Sequence, residues 1–541
     1  MATVFMKWLE KSPKDYDRGI QWLTLGRVQS LKEKIAGEYI HEGTRVLEIG
    51  CGTGTLTMLM AEKGAIVTGV DASPAMLVEA QKKIAVRGFK EHVTLKYMDA
   101  ALIGDSFAPA SFDLIVSTLV FSELPSDEQS YVLEACARLL APGGQLLIAD
   151  EVIPAGLLAR VTYCLIRLPL VLLTWMLTRT TTKALHKFEP LLAQTGFNSS
   201  IVASYLGNSL VLYTATPTSE THPEIELPPT VVRRLQHRVT PRTLLVDLWT
   251  LFFRIIPPYP KIRPGLYAVG HPTPDSSVLV TGNFDLTVRR LIKAIDGKLD
   301  SWVLVTDSAG INVWCAAGGG HFTAEKVIAA VKSSHLDEVV NHHALVLPQL
   351  CANGVDGWRI RKETGWGVYW GPVRAEDIPA YLANKRKKTD SMRWARFPLK
   401  DRLEMVTVTL GFYAILILIP ILIFFHSLFW GIAASLFGLS YFYAVVHPWL
   451  PGRDGLYKSI PLTVIALAGL FSFTALWYPL PVSRLFNWAI GLTGLSVFVA
   501  AELQGMSPLM RGEQGNWKWE ALIGAALGLI YWLIPLSLGW R

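Results

Sequence analysis

Beyond residue 404 the sequence contains five runs nearly free of charge: 406–425, 429–446, 460–476, 486–503 and 521–538, each 17 to 20 residues long. A helix of that length crosses the hydrocarbon core of a bilayer. Inside lipid every backbone amide needs an internal partner, so such runs fold as helices. This excludes a wholly water-soluble chain, and we expect residues 404–541 to form a transmembrane domain with five helices. His447-Pro448-Trp449 after the second run and Trp517-Lys518-Trp519 before the fifth read as interfacial anchors. Lys385, Arg386, Lys387, Lys388, Arg393, Arg396, Lys400 and Arg402 precede the first run, and Arg453, Lys458, Arg511 and Lys518 fall on the same side. The opposite side holds only Arg484 and Arg541. By the positive-inside rule the soluble part is expected in the cytoplasm, with the chain multi-pass in the inner (cytoplasmic) membrane and its C-terminus outside. No run holds an internal Asp, Lys or Arg, and only Glu502 stands near an end. The bundle therefore reads as an anchor or as a passage for a small neutral or thiol-bound species. Its polar residues, among them Thr407, Thr409, Ser440 and Tyr441, do not separate the two.

At 541 residues the chain holds more than one domain. Its formal charge of +7 is concentrated in the membrane flank, which speaks against a nucleic-acid surface. Five cysteines, Cys51, Cys136, Cys164, Cys315 and Cys351, are scattered without pairing, which suits a reducing compartment. Lys7, Glu10, Lys11 and Lys14 enclose no apolar run, so no signal peptide is expected.

Residues 45–49 read as a buried strand, Gly50-Cys51-Gly52-Thr53-Gly54 follows, and 55–63 reads as a helix. A strand, a glycine turn and a helix are how a backbone meets a nucleotide cofactor. The glycines permit close approach where a side chain would collide. A second strand, 65–70, ends in Asp71, whose carboxylate can accept hydrogen bonds from ribose hydroxyls. With these motifs, residues 1–215 resemble the class I S-adenosylmethionine-dependent methyltransferases, particularly the quinone and small-molecule C-methyltransferase branch. The resemblance implies a Rossmann-like domain in which Glu48, Gly50, Gly52, Gly54, Asp71, Asp99 and Ser117 bind the cofactor. The glycines would surround its methionine portion, Asp71 its ribose and Asp99 its adenine amine. Residues 112–117 match the fourth strand, and 139–148, with Pro142-Gly143-Gly144, the turn into the fifth. A nicotinamide dehydrogenase fits less well, since that turn and Asp99 have no role there. Tyr16 and Asp17 lie where the N-terminal cap of such enzymes touches cofactor or substrate, and Ser117, Glu123 and Tyr163 are candidates to line the acceptor side. The apolar stretch 154–178, interrupted by Arg160 and Arg167, is an interfacial helix, an apolar lid or a helix packed on the sheet.

A linker, 216–243, opens with Pro217, Pro223, Pro228 and Pro229. The second soluble domain, 244–390, begins with an apolar helix-like stretch. Strands are expected at 278–281, 302–305, 343–347 and 367–370, alternating with helices, and this pattern predicts an α/β sheet with ligands at its carboxyl edge. Within it stands Asn312-Val313-Trp314-Cys315-Ala316-Ala317-Gly318. A single thiol is poor material for a zinc site, which gathers four ligands. It suits a metal carried by a cofactor.

This domain resembles the corrinoid-binding domain of the mercury-methylating corrinoid proteins, distantly related to a subunit of the corrinoid iron–sulfur protein. The matching strings are 264–267, 278–281, 310–318, 347–350 and 371–379, and the resemblance extends over 245–541. It implies a cobalamin-type corrinoid whose cobalt takes Cys315 as its lower axial ligand, with Asn312 and Trp314 holding the motif. Thr281, Thr306, Ala316, Ala317, Gly318 and Gln349 would meet the cofactor. A thiolate is a strong donor that favours oxidised cobalt and so assists methyl transfer to an electrophile. Where that family continues with lysine, this chain has Gly319. The Asp-x-His-x-x-Gly motif is not found, in keeping with cysteine ligation, and Cys351 reads as a core thiol.

The expected molecule is thus an α/β multidomain membrane protein: a methyltransferase domain, a corrinoid domain and a five-helix transmembrane bundle. The first domain would draw a methyl group from S-adenosylmethionine. That group would be carried on cobalt above Cys315 and passed to Hg(II) or a similar soft acceptor. The required electrons would come from a ferredoxin-like iron–sulfur partner. Two other readings stay open. One is a membrane-anchored methyltransferase of a small molecule or lipid, with the corrinoid domain as carrier or sensor. The other is two activities merely fused.

Overall fold

The computed structural model describes residues 6–10, 12–178, 184–186, 188–218, 233–253, 260–414 and 418–508, with 522 and 526. Two compact units divide the chain, one built mainly from residues up to 232 and the other mainly from those after it.

The first unit is a seven-stranded sheet in the order β3-β2-β1-β4-β5-β7-β6. Its strands are β1 (Arg45–Ile49), β2 (Ile66–Asp71), β3 (Val93–Tyr97), β4 (Phe112–Thr118), β5 (Leu140–Glu151), β6 (Phe197–Tyr205) and β7 (Leu210–Pro217). β1 to β5 run parallel, and β7 returns antiparallel beside β5. The central strands are apolar at consecutive positions because helices cover both faces. Leu47, Ile49 and Ile115 pack with Phe121, Val132 and Cys136 on one side. Val46, Leu114 and Val116 pack with Leu31, Ile35 and Met60 on the other. The order reverses between β1 and β4, which opens a crevice at the carboxyl ends of the strands. Ile49 pairs there with both Val70 and Ser117.

The second unit contains a sheet in the order β13-β12-β10-β11-β9-β8. Its strands are β8 (Arg233–Arg234), β9 (Gly265–Val269), β10 (Val278–Gly282), β11 (Ser301–Thr306), β12 (Ala344–Leu347) and β13 (Gly367–Trp370). β10, β11, β12 and β13 are parallel to their partners. Leu279, Val303, Val305 and Val346 pack against Val288, Leu291 and Ile292 of the helix Asp285–Ile295.

The five-helix bundle expected from sequence is corrected by the structure. Among the described residues three helices are long and apolar enough to cross a membrane: His426–Trp449, Leu456–Leu476 and Val482–Glu502. Of the first expected run, 406–425, the described residues fall in the helices Leu399–Tyr413 and Ile419–Phe424 and at 414 and 418 beside them, with 415–417 outside the described residues. Pro420 lies in the first turn of the second piece, where its missing amide donor costs least. The fifth run, 521–538, lies outside the described residues apart from 522 and 526.

Two cations counted among the flanking charges are buried. Lys458 sits in the first turn of Leu456–Leu476, where its Nζ lies 3.1 Å from Asp454 Oδ1 and donates to the His447 carbonyl at 3.0 Å. His447 Nε2 and Ser507 Oγ also reach Asp454 Oδ1, both at 2.8 Å. Burial works to raise the Asp454 carboxyl, but the hydrogen bonds from His447 and Ser507 and the charge of Lys458 hold it well below the usual range. Arg402 donates from Nε to Ala444 O at 2.7 Å and from Nη1 to Phe397 O at 3.0 Å.

Candidate functional site

In the first unit the glycine turn follows β1 directly. Gly50, Gly52 and Gly54 all have positive φ, at 73°, 54° and 75°. A Cβ on Gly50 would collide with Val120, whereas at Gly52 nothing stands within 4 Å. The turn is therefore packed on its inner side and open on its outer one, where a ligand's backbone-sized part can lie. Asp71, ending β2, accepts from Gly52 N at 2.8 Å and Ser73 N at 2.7 Å, and so fixes the loop's shape. A carboxylate offers about four acceptor positions, so it keeps capacity for hydroxyl donors. Asp99 accepts from Ala101 N at 2.9 Å as the cap of a short helix. Ser117 is buried at the carboxyl end of β4, and its Oγ has no hydrogen-bond partner among the described residues.

Glu48 lies beneath the turn and accepts from Thr57 Oγ1 at 2.5 Å. Burial pushes its carboxyl up to about 7, against the opposing effects of the Thr57 hydrogen bond and Lys32. Through Thr57 it braces the start of the following helix from inside. Asp17 of the helix Pro13–Leu23 accepts from Thr53 Oγ1 at 2.8 Å, from Thr55 Oγ1 at 2.9 Å and from Lys83. Burial opposes its ionisation, but Lys83 and Lys32 hold it below the usual range. The next residue, Tyr16, is raised well above its ordinary value by burial and by the carboxylates of Glu123, Glu10, Asp71 and Asp17. The N-terminal helix is thus clamped over the glycine turn. These residues fit S-adenosylmethionine: an open glycine turn, a carboxylate one strand away and a polar orphan at the crevice.

On the acceptor side the structure assigns Tyr163 another task. Its hydroxyl donates to Glu151 Oε1 at 2.5 Å, and Arg167 joins both. This buried triad fastens the helix Leu157–Thr178 to the end of β5. Sequence reading missed Glu151, because no local spacing links it to Tyr163 and Arg167. It also missed Asp150, raised to about 7 by burial despite its bonds with Ser122 and Glu151 N.

In the second unit Asn283, just past β10, organises the approach to the cysteine motif. Its Oδ1 accepts from Ser308 N, Ser308 Oγ and Gly310 N at 3.0, 3.0 and 2.9 Å, and its Nδ2 donates to Asp307 Oδ1 at 2.7 Å. Asn312 then caps the helix Val313–Gly318, accepting from Trp314 N at 3.0 Å. Cys315 thus lies within a short helix of its own, ahead of Ala324–Ser333. Ala316 and Ala317 are its buried face, and Gly354 lies so close that a Cβ there would collide with the Ala317 carbonyl. Cys315 is exposed, as are Gly318, Gly319 and Gly320. The thiol therefore stands on a surface with no neighbouring side chain at 318–320.

A cavity of about 190 Å³ adjoins this helix, lined by Thr281, Arg290, Asn312, Trp314, Pro348 and Gly371 among others. The structure brings Thr281, Asn312 and Trp314 together there. Cys315, Thr306 and Gln349 do not line it. Thr306 is buried, with no hydrogen-bond partner for Oγ1 among the described residues. Gln349 accepts from Lys388, which also reaches Gly371 O at 3.4 Å and is lowered by burial and then by Arg393. Trp314 stacks obliquely on Phe397, at 5.9 Å between centroids, in a cluster with Leu350, Val373 and Met405. Arg290 bonds both oxygens of Glu404 at 2.8 Å. Met405 and Glu404 belong to the helix Leu399–Tyr413, so the cysteine motif is tied directly to the chain entering the membrane domain. Among the described residues no three metal-binding side chains converge. A metal at Cys315 would have to bring its other ligands with it, as a corrinoid does. The exposed thiol, followed at 318–320 by three exposed glycines that carry no side chains, stands on an open face, so the residues fit that group.

Comparison with known proteins agrees with this division. Residues 46–144 match a methyltransferase domain family, and 257–382 match the family of the CO dehydrogenase/acetyl-CoA synthase delta subunit. The acetyl-CoA decarbonylase/synthase complex subunit gamma of Archaeoglobus fulgidus is 37% identical over 123 residues, 23% of this chain and 26% of that one. The corrinoid/iron-sulfur protein large subunit of Moorella thermoacetica is 34% identical over 122 residues, 22% of this chain and 27% of that one. The ubiquinone biosynthesis O-methyltransferase of Stutzerimonas stutzeri is 31% identical over 138 residues, 25% of this chain and 56% of that one. The chain thus spans about a quarter of the length of the first two relatives and about half of the third. It carries a class I S-adenosylmethionine-dependent methyltransferase domain fused to a corrinoid/iron–sulfur-related domain, with apolar helices of a multi-pass membrane protein.

Proposed function

We propose that this chain is a membrane-bound, corrinoid-dependent methyl-transfer protein. Its methyltransferase domain, 1–215, draws the methyl group from S-adenosylmethionine, and its corrinoid domain, 244–390, passes that group to Hg(II) or a similar soft acceptor. The observation that carries the reading is the exposed Cys315 on an Asn312-capped helix that runs into three glycines, in a domain matched to corrinoid protein relatives. A corrinoid bound there supplies a cobalt centre able to take up and give up a methyl group. The chain's own residues do the rest. Gly50, Gly52 and Gly54 seat the methyl donor, Asp71 orients its ribose and Asp99 its adenine. Asn283 and Asn312 hold the cysteine helix, from which Cys315 would offer the cobalt a thiolate, a strong donor that favours the oxidised metal, while Trp314 and Thr281 would line the adjoining cavity. Reduction of the cofactor falls to a ferredoxin-like iron–sulfur partner. The soluble domains face the cytoplasm, where such a donor and a reduced thiol are at home.

The test is spectroscopic. The purified full chain, loaded with cobalamin, is compared with Cys315→Ala. The reading expects tight binding and an absorption spectrum that shifts on loss of the thiolate. An identical spectrum for both proteins would overturn the axial role.

A second reading is favoured by the methyltransferase relative, whose name describes O-methylation in ubiquinone biosynthesis. Here the first domain methylates a small molecule or lipid, and the corrinoid domain acts as carrier or sensor. The fate of a labelled methyl group separates the two.

A further inference from the structure

The helix Leu157–Thr178 is amphipathic in the wrong sense for a helix on a soluble surface. Tyr163, Arg167 and Thr174, spaced by four and seven residues, form one face, and that face is buried. Leu158, Val161, Leu165 and Leu168 form the opposite face and are 82, 48, 70 and 63% exposed. A surface helix in water places these classes the other way round. The helix cannot roll to hide its leucines, because Tyr163 and Arg167 are both held by the buried Glu151. Arg167 paired inside the protein also excludes a membrane-crossing role.

What covers the leucines follows from charge and from the rest of the chain. From Val152 to Phe188 there is no Asp or Glu, whereas Arg160, Arg179, Lys183 and Lys187 are basic in addition to the internally paired Arg167. An apolar stripe in a sequence stretch whose only charges are cationic suits the headgroup boundary of an anionic bilayer. The chain carries its own membrane-crossing helices, so a bilayer is present at high effective concentration. We infer that the Leu158–Val161–Leu165–Leu168 face lies in the lipid interface and seats the methyltransferase domain on the bilayer that holds the chain. This does not depend on the corrinoid reading.

The test uses the full chain in vesicles containing anionic phospholipid. Leu165→Cys is labelled with a bimane fluorophore in a background of Cys164→Ala and Cys315→Ala, with Glu91→Cys, exposed elsewhere on the same unit, as control. Val161→Cys gives a second reading of the same face. Bromine-substituted acyl chains should lower the signal at 165 and 161 by about twofold, with little quenching by aqueous iodide, while the control responds to iodide alone. Quenching at 165 and 161 by iodide but not by brominated lipid would place the face in water and overturn the inference. Protection from both would mean that protein covers it, as in a second copy of the chain, and would overturn it equally.

Discussion

Gly50 illustrates how a single atom decides the first site. A methyl group there meets Val120 and forces a left-handed backbone on an L-residue. Gly50→Ala should cost about 1–3 kcal/mol from the backbone alone and weaken S-adenosylhomocysteine binding, measured by calorimetry. Glu48 gives a pH signature. Its folded carboxyl titrates at about 7, whereas an exposed Glu titrates at about 4.3. Between those values the folded chain holds a proton that the unfolded chain has lost. Its contribution to stability is therefore full below about pH 4 and declines as pH rises towards about 7. Glu48→Gln should flatten that slope in the melting transition that S-adenosylhomocysteine stabilises. An unchanged slope would assign the pH dependence elsewhere. In the second site, Asn283→Ala strips four hydrogen bonds from the loop before the cysteine helix. It should destabilise by about 1–3 kcal/mol through unsatisfied buried groups and broaden the spectrum of bound cobalamin. Gly319, at φ −92°, needs no glycine, and a Cβ there would approach only the Cys315 carbonyl, at 3.1 Å, and the His321 ring, at 3.3 Å. Gly319→Lys should fold and retain the cobalamin spectrum.

At the scale of elements, the membrane helices share an apolar core that includes Leu436, Leu462 and Val499, and a polar staple adds to it at their ends. Asp454 gathers His447, Lys458 and Ser507 from separate segments. Asp454→Ala leaves Lys458 buried without its counter-charge and should cost about 3 kcal/mol, read as a lowered melting temperature in detergent. Because the carboxyl is held below its usual range, its contribution is present above about pH 4 and is lost as pH falls through the lower folded value. This cluster also marks the limit of what sequence conveyed. β1, β13 and the helix Phe429–Val446 are legible to the residue, because a short apolar run between turn signals is a local property. The glycine turn and the cysteine motif were legible for the same reason. Lys458 and Arg402 were read as solvated flank because only a distant Asp454 or a carbonyl of Ala444 shows them to be buried. The bond of Tyr163, a candidate to line the acceptor side, to Glu151 is not legible in the sequence because Glu151 comes from another element.

At the scale of the whole molecule, two α/β sheets each present their chemistry at a carboxyl edge, and the second is wired to the membrane-entering helix through Trp314–Phe397 and Arg290–Glu404. Through these contacts the cysteine helix and the helix Asp285–Ile295 meet the segment that includes Phe397 and Glu404. The central claim is that the methyl group drawn by the first domain reaches the second. It is tested by adding methyl-labelled S-adenosylmethionine and a strong reductant to the full chain loaded with cobalamin, and following the label. The account predicts label recovered with the corrinoid, abolished when Gly50→Ala disables the donor site. Label recovered only in an organic product, with none on the corrinoid, would contradict it.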